Sequence, residues 1–335
     1  MILPFVTGII VVRNEEDYIK KSLTSLLKQD YPKDKYELII VDGDSTDNTL
    51  ENINEIIKNI NKNDRPYDIR IFKNSKKLLA SGWNLAIRQA KGDYVVRIDA
   101  HSYARENFIK KSVETMMNIS DATCVGGRLI TESLTRQGET IAKVLSSPFG
   151  IGNSKFRYSM HAQYTDTVAF GLYRKEIFNI VGFFDETLQR NQDNNMHSRI
   201  RKIGGKFYFN PEIECIYYSR DSYRKMCKQG FMNGKWNIIV LKDDIKSLSM
   251  RHLIPLFFLI GNILGIIGSF VNPVLMYTYV LILCLYFILA IIAALLKTKN
   301  IFEIVKIVLL FFALHISYGT GSLLSLLSNT RRKAL

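Results

Sequence analysis

Cysteine is scarce in these 335 residues: Cys124, Cys215, Cys227 and Cys284 are the only four. No two share a metal-binding or redox spacing, and Cys284 sits inside an apolar run. A disulfide framework and a zinc site are therefore excluded, and a reducing compartment fits. The amino terminus lacks a basic leader segment, since "FVTGIIVV" runs straight into "RNEED". No cleavable signal peptide is expected, and the first 250 residues are expected to stay in the cytoplasm. A nucleophilic triad is also missing, and "GGRLI" and "GIGNSK" lack the context of a P-loop or dinucleotide fingerprint. Hydride transfer and ATP hydrolysis thus find no support. There is no internal repeat and no low-complexity tract, although residues 52–65 are rich in Asn and Lys.

Charge itself vanishes near the carboxyl end. Leu253–Val271 is 19 residues without a charge, Val274–Leu296 is 23 more, and Ile307–Leu327 is 21 in which His315 is the sole ionisable group. A spanning helix needs roughly 20 mainly apolar residues to cross about 30 Å of hydrocarbon, so all three qualify. The middle run is the clearest. Pro255, Asn262 and three glycines in the first run, and Ser and Gly in the third, leave either open to a re-entrant or interfacial placement. With three spans the terminal "RRK" (331–333) ends outside, and with two spans and one interfacial segment it returns inside. The formal net charge is +14. From Arg251 onward seven basic residues face one acidic, a net +6. The stretch Arg220–Asp244 with Lys246 adds +4 from seven basic and three acidic residues. Basic residues beside membrane spans mark the cytoplasmic face, so the excess needs no nucleic-acid partner, and no recognition motif for one is present.

Ahead of the apolar runs, strands and helices alternate. "FVTGIIVV" (5–12) reads as a strand buried on both faces. Ile19, Leu23, Leu26 and Leu27 follow at helical spacing, with Pro32 as the stop. A strand at 37–41 leads through Ser45, Thr46 and Asp47 into another helix. A third strand (68–74), a helix in "LASGWNLAIRQAKG" and a fourth strand, "DYVVRID", complete the pattern. A helix at Glu106–Asn118 and a strand at 122–130 come next, then a loop-rich stretch to 166. "DNNMHSRIRKIGG" reads as a helix with Met196, Ile200 and Ile203 on one face and a Gly terminus. Such alternation implies an α/β fold with a doubly wound, mainly parallel sheet, whose ligands sit beyond the carboxyl ends of the strands.

That rule singles out three acidic clusters. Asp42 in "VDGDSTDNT" ends a buried strand, where an unpaired carboxylate is costly unless something binds it. It can accept hydrogen bonds from a nucleobase or ribose, whereas Asp47 reads as a turn cap. Asp99 and His101 in "RIDAHS" are two apart on an extended segment and so share a side. Carboxylate plus imidazole suits a divalent ion, Mn²⁺ ahead of Mg²⁺, although an isolated Asp-x-His is usually a capped turn. Asp193 in "NQDNNMHSRI" stands at a helix start, either as the cap or as a carboxylate held ionised to accept a proton. Arg199 and Arg201 follow, read as solvated or paired rather than phosphate-binding.

The ordered blocks "IIVVRNEE", "VDGDSTDNT", "ASGWNLAIRQAKGDYVVRIDAHS" and "FDETLQRNQDNNMHSRIRKIGG" resemble the inverting family 2 glycosyltransferases over residues 4–240, and most of all the succinoglycan-type exopolysaccharide enzymes. The resemblance implies a GT-A fold, a Rossmann-like mixed, mainly parallel sheet with helices on both faces, followed by transmembrane helices. It implies that Asp42 contacts the nucleotide, usually uridine, that Glu15 lies in the nucleotide-proximal loop, and that Asp99 and His101 hold the Mn²⁺ or Mg²⁺ bridging the diphosphate. Asp193 matches the catalytic base. Gly43 replaces a second acidic residue of many members, and Gln192 stands where Glu is common before the base, in the acceptor region. "MNGKW" (232–236) keeps Trp236 of the processive motif but neither its Gln nor its Arg. The implied domains are a catalytic one (1–220), a juxtamembrane helical segment (221–250) and a membrane domain of two or three helices (251–335).

The implied activity is that of a membrane-anchored hexosyltransferase with its catalytic domain on the cytoplasmic side of the cell membrane. It moves one sugar from a nucleotide sugar, a UDP-sugar first, to a polyprenyl-linked glycan in exopolysaccharide or cell-surface polysaccharide synthesis. A polyprenyl-phosphate glycosyltransferase, a processive polysaccharide synthase and a non-catalytic membrane scaffold are the alternatives.

Overall fold

The computed structural model describes residues 3–61, 65–133, 135–152, 154–219, 221–243 and 250–328. The terminal "RRK", Arg220, Asp244 and Lys246 lie outside the described residues. The chain divides into two compact units: residues 1–130 with 159–218, and residues 131–158 with 219–335.

The first unit opens with β1 (Val6–Val12), α1 (Ile19–Leu27), β2 (Tyr36–Asp42), α2 (Thr49–Asn59), β3 (Asp68–Lys73), α3 (Leu79–Gln89) and β4 (Tyr94–Asp99). β5 (Ser102–Ala104), α4 (Phe108–Asn118) and β6 (Ala122–Glu132) follow. The chain then leaves for α5 (Arg136–Leu145) and α6 (Pro148–Ile151) of the second unit. It returns for β7 (Gln163–Thr165), β8 (Ala169–Arg174), α7 (Ile177–Val181), α8 (Gln192–Lys202) and β9 (Lys206–Tyr218). The mixed sheet runs β3-β2-β1-β4-β8-β6-β9-β5, with β7 beside β9. β3, β2, β1 and β4 are mutually parallel, while β8 pairs antiparallel with β4 and β6.

All seven residues of β1 and of β2 are buried, as the unbroken apolar runs require. α1 buries Ile19, Leu23, Leu26 and Leu27 at the expected spacing, but it ends at Leu27, well before Pro32. α3 lies so close to β1 that a Cβ on Gly82 would stand 2.6 Å from Val11 Cγ1. α8 buries Met196 and Ile200 and closes on Gly204 at φ +82°. Ile203, expected on the same face, is instead the carboxyl-terminal cap and 53% exposed, because the helix has already ended.

The stretch up to 166 is more regular than its polarity suggests. α5 starts where Thr135 accepts a hydrogen bond from the Gly138 N–H, and it buries Ile141 and Val144. Its apolar positions are too few to stand out from the polar background.

The second unit adds α9 (Tyr223–Asp243), α10 (Ile254–Val271), α11 (Pro273–Leu295) and α12 (Ile301–Leu327). The last three are long and apolar enough to cross a membrane. α12 begins six residues ahead of the apolar run because Asn300 Oδ1 caps the Glu303 N–H.

At the amino ends of the parallel strands one buried carboxylate ties several elements together. Glu37 accepts from Thr7 Oγ1 at 2.7 Å, the Lys91 N–H at 2.6 Å and Arg70 Nη2 at 2.8 Å, and its side chain has no exposure. Removing one partner of a buried charged cluster costs about 3–5 kcal/mol. Glu37→Ala is expected to lower the melting temperature of the detergent-solubilised protein by on the order of 10 °C, read by circular dichroism. An unchanged melt would show that the cluster contributes nothing.

Candidate active site

Register places the acidic clusters. Val12 of β1 faces Asp42 of β2, and Val11 faces Asp99 of β4, so both aspartates flank the carboxyl end of β1. A cleft of about 190 Å³ opens there, lined by Arg13, Glu15, Gly43, Lys77, Asp99 and His101 among others. Three residues around it adopt left-handed backbone, Asn14 at φ 53°, Asp44 at φ 61° and Lys77 at φ 58°. Asx residues tolerate that region best.

Within the cleft, Glu15 Oε1 lies 3.5 Å from His101 Nδ1, and the His101 ring stands edge-on to Tyr217, their centres 5.1 Å apart. Burial pushes the Asp99 carboxyl up. The nearby Asp193 and Glu15 carboxylates push the same way, against His101 and Arg97. Asp42 is buried, and its carboxylate is already engaged by the Ser45 hydroxyl at 2.6 Å and the Ser45 N–H. Asp44 pairs with Lys73 at 2.7 Å and Lys77 at 2.5 Å, which hold it down to about 2.

Asp193 is not the cap of α8. Asn191 occupies that position in left-handed conformation, φ 62°, and Asp193 falls in the first turn. Its carboxylate forms an ion pair with Arg97, whose side chain is nearly buried in the middle of the sheet. The Arg97 guanidinium stacks 3.9 Å from the Trp83 ring centre and 5.4 Å from that of Phe184. Burial works to raise the Asp193 carboxyl, but the charge and hydrogen bond of Arg97 outweigh it and hold the group below the usual carboxylate range. Asp193 keeps 44% of its side chain exposed, so an ionised oxygen remains reachable.

The loop leading into α8 is fixed from α3. Asn84 Oδ1 accepts the Phe184 N–H at 2.9 Å, and its Nδ2 donates to the Phe184 carbonyl at 2.8 Å. One turn beyond Asp193, His197 is fully buried between Thr167 Oγ1 (2.7 Å) and the Tyr173 hydroxyl (2.6 Å). Burial drives it down to about 3, so it stays neutral and adds no charge beneath the pair. Arg199 donates to the Val181 and Phe183 carbonyls and Arg201 to that of Asp166, so both are structural ties. Gln192 is buried with its amide on the Leu188 carbonyl. Trp236 lies on α9 in the second unit, its indole Nε1 buried without a hydrogen-bond partner.

Glu15, Asp99 and His101 are thus brought to one cleft. Arg97 was missed by sequence reasoning, although "RID" carries the signal: an arginine inside a buried strand, two residues before Asp99 and therefore on the same side. Arg13 and Lys77, cationic cleft residues, were missed as well.

The model of "Glycosyl transferase family 2" matches residues 7–182. The chain belongs to that family. Over 321 residues, 94% of this chain and 95% of the relative, it is 33% identical to the dolichyl N-acetyl-alpha-D-glucosaminyl phosphate 3-beta-D-2,3-diacetamido-2,3-dideoxy-beta-D-glucuronosyltransferase of Methanococcus voltae. It is also 26% identical to the succinoglycan biosynthesis protein ExoA of Rhizobium meliloti over 72% of each chain. Among solved structures, the mannosyltransferase PcManGT from Pyrobaculum calidifontis, in complex with GDP-Man and Mn²⁺, matches with a TM-score of 0.59 at 17% identity. The match covers 95% of this chain and 88% of that one and establishes the GT-A-like fold. The family 2 chain is a glycosyltransferase.

The ion pair makes a pH-dependent forecast. In Arg97→Met the Asp193 carboxyl loses the charge that depresses it, so it should protonate at higher pH. The acid limb of kcat/KM should then move upward in pH, with lower turnover throughout. An unmoved acid limb would separate Asp193 ionisation from the reaction.

Proposed function

We propose that this glycosyltransferase moves one sugar from a nucleotide-sugar donor to a lipid-linked sugar acceptor at a membrane surface, with residues 1–220 as the catalytic domain on the cytoplasmic side. The observation that carries the reading is Asp193: a half-exposed carboxylate kept ionised by a buried arginine and close enough to Asp99 of the cleft to push that carboxyl up. Such a group suits a base that takes the acceptor hydroxyl's proton as the oxygen attacks the anomeric carbon. A single displacement of this kind inverts the configuration. The lipid-linked acceptor is supported by the full-length relative, whose name specifies a dolichyl phosphate-linked sugar, and by the three apolar helices. Confining enzyme and acceptor to one surface raises their encounter frequency.

In this reading Asp42 and Glu15 border the nucleotide, and Arg13 and Lys77 offer positive charge to its diphosphate. Among the described residues no group of three or more His, Cys, Asp or Glu side chains forms a complete metal cage. The donor set at the cleft still fits a divalent ion that shares its coordination with a substrate. Asp99 supplies an oxygen and His101 a nitrogen, Glu15 is adjacent, and Asp99 sits where added positive charge relieves it. When bound, the ion offsets charge on the departing diphosphate. Two neighbours of this fold were solved with Mn²⁺. Gln192 is assigned to the acceptor region.

A panel of sugar nucleotides against lipid-linked acceptors, with product mass and linkage analysis, tests the reading. One sugar added with inverted configuration is expected. Transfer to water alone, or none with any acceptor, would refute it. Asp193→Asn should lower turnover by about 10²–10⁴-fold while donor affinity persists. Asp99→Ala should remove the metal dependence of donor binding in calorimetry, and Mn²⁺ should support more activity than Mg²⁺. Equal activity with both ions would end the assignment of His101 as a ligand.

A further inference from the structure

We propose that α12 does not cross the membrane. It lies in the bilayer surface with both ends on the side that carries α5 and α9, and only the α10–α11 hairpin crosses. The inference rests on the membrane-anchored reading above and concerns the second unit alone.

Both ends of α12 are held by helices that water must wet. At its start, Lys143 of α5 pairs with Glu303 at 2.5 Å, and Ile141 and Val144 of α5 pack against Ile304, Ile307 and Phe311. At its finish, Lys242 of α9 donates to the carbonyls of Ser325 (2.7 Å) and Ser328 (2.9 Å). Between these points α9 runs alongside at backbone distance. A Cβ on Gly234 would stand 2.0 Å from the Tyr318 carbonyl, and one on Gly321 would stand 2.0 Å from that of Phe231. α9 carries Arg224, Lys225, Lys228, Lys235 and Lys242. A charge at the bilayer centre costs roughly 2.5–3.5 kcal/mol even on insertion scales. A helix with five cannot accompany a spanning partner through hydrocarbon. The 27 residues of α12 cover about 40 Å, so crossing would set its two anchored ends on opposite faces.

The opposite face of α12 is mainly apolar and exposed near its two ends, with Lys306 exposed among the apolar side chains of its second turn and the middle covered by the hairpin. Phe302, Val305, Leu309, Leu324 and Leu327 are each more than half exposed and recur at helical spacing. A helix with one protein-covered face and one apolar face fits the lipid boundary, with α9 and α5 as its aqueous cover. This apolar face continues into the hairpin, whose contact with α12 is confined to one end, at Pro255 to Leu259 and Tyr286 to Ala294. Farther out, α10 and α11 pair with each other, as where the Tyr279 hydroxyl donates to Asn262 Oδ1 at 3.1 Å. Their 18 and 23 residues span about 27 and 34 Å, enough for the hydrocarbon. No charge occurs from Leu253 to Leu296. Lys297 and Lys299 then share a side with α9, as the positive-inside tendency favours.

The test places single cysteines at Asn272, Asn300 and Ser328 in a chain with Cys227 and Cys284 replaced by serine. Each is labelled with a membrane-impermeant maleimide in intact cells and in inverted vesicles. Asn300→Cys and Ser328→Cys should label from one side and Asn272→Cys from the other. Labelling of Ser328→Cys and Asn300→Cys from opposite sides overturns the proposal, and labelling of all three from one side overturns the hairpin crossing. For a variant that does not accumulate, alkaline phosphatase fusions serve instead. A fusion after Asn272 should be active and one after the carboxyl terminus inactive, and the reverse pattern refutes it. Extraction of the protein by alkaline carbonate would remove the membrane-anchored reading itself, and is scored separately from sidedness.

Discussion

The Arg97–Asp193 ion pair is the contact on which the site depends. Arg97 is a permanent charge placed in a sheet interior, and such a charge is tolerated only when paired and packed. Trp83 and Phe184, packed against each other, line one side of its guanidinium, and Asp193 supplies the counter-charge. Each element that meets there is committed by that need: β4 delivers the arginine, α3 the tryptophan, the loop held by Asn84 the phenylalanine, and α8 the carboxylate. The same pairing keeps Asp193 ionised while nearly half its surface stays open. A group shaped by a structural requirement is thereby left ionised and open to solvent, the state that the proposed base needs.

Much of this was legible in the sequence because the signals were periodic or positional. The parallel strands are continuous apolar runs, and the aspartates at 42 and 99 sit where those runs stop. Register then converts adjacency in the text into adjacency in space, through Val12 opposite Asp42 and Val11 opposite Asp99. The three apolar helices announced themselves by length alone.

What stayed hidden depended on partners remote in the chain. Nothing near Asp193 says that its counter-ion lies 96 residues earlier. Ser45, which occupies the Asp42 carboxylate, read only as a helix-start signal. The long antiparallel strand β9 alternates unevenly, with Asn210, Pro211 and Glu212 inside it, so no period of two emerged. α5 hides its apolar face among polar neighbours, and only its packing in the second unit reveals it.

Glu37 sits at the amino ends of the parallel strands, whereas the cleft opens at their carboxyl ends, a strand length of roughly 20 Å away for seven residues. One edge of the sheet carries the knot of satisfied hydrogen bonds, and the other carries the left-handed Asn14 and Asp44 and the crowded carboxylates. The two edges are therefore separable targets for change. Substitutions around Thr7, Arg70 and Lys91 act on how much folded enzyme persists at a given temperature, while those at the far rim act on the proposed donor and acceptor site. Such a molecule can diversify its chemistry without renegotiating its stability at the same positions.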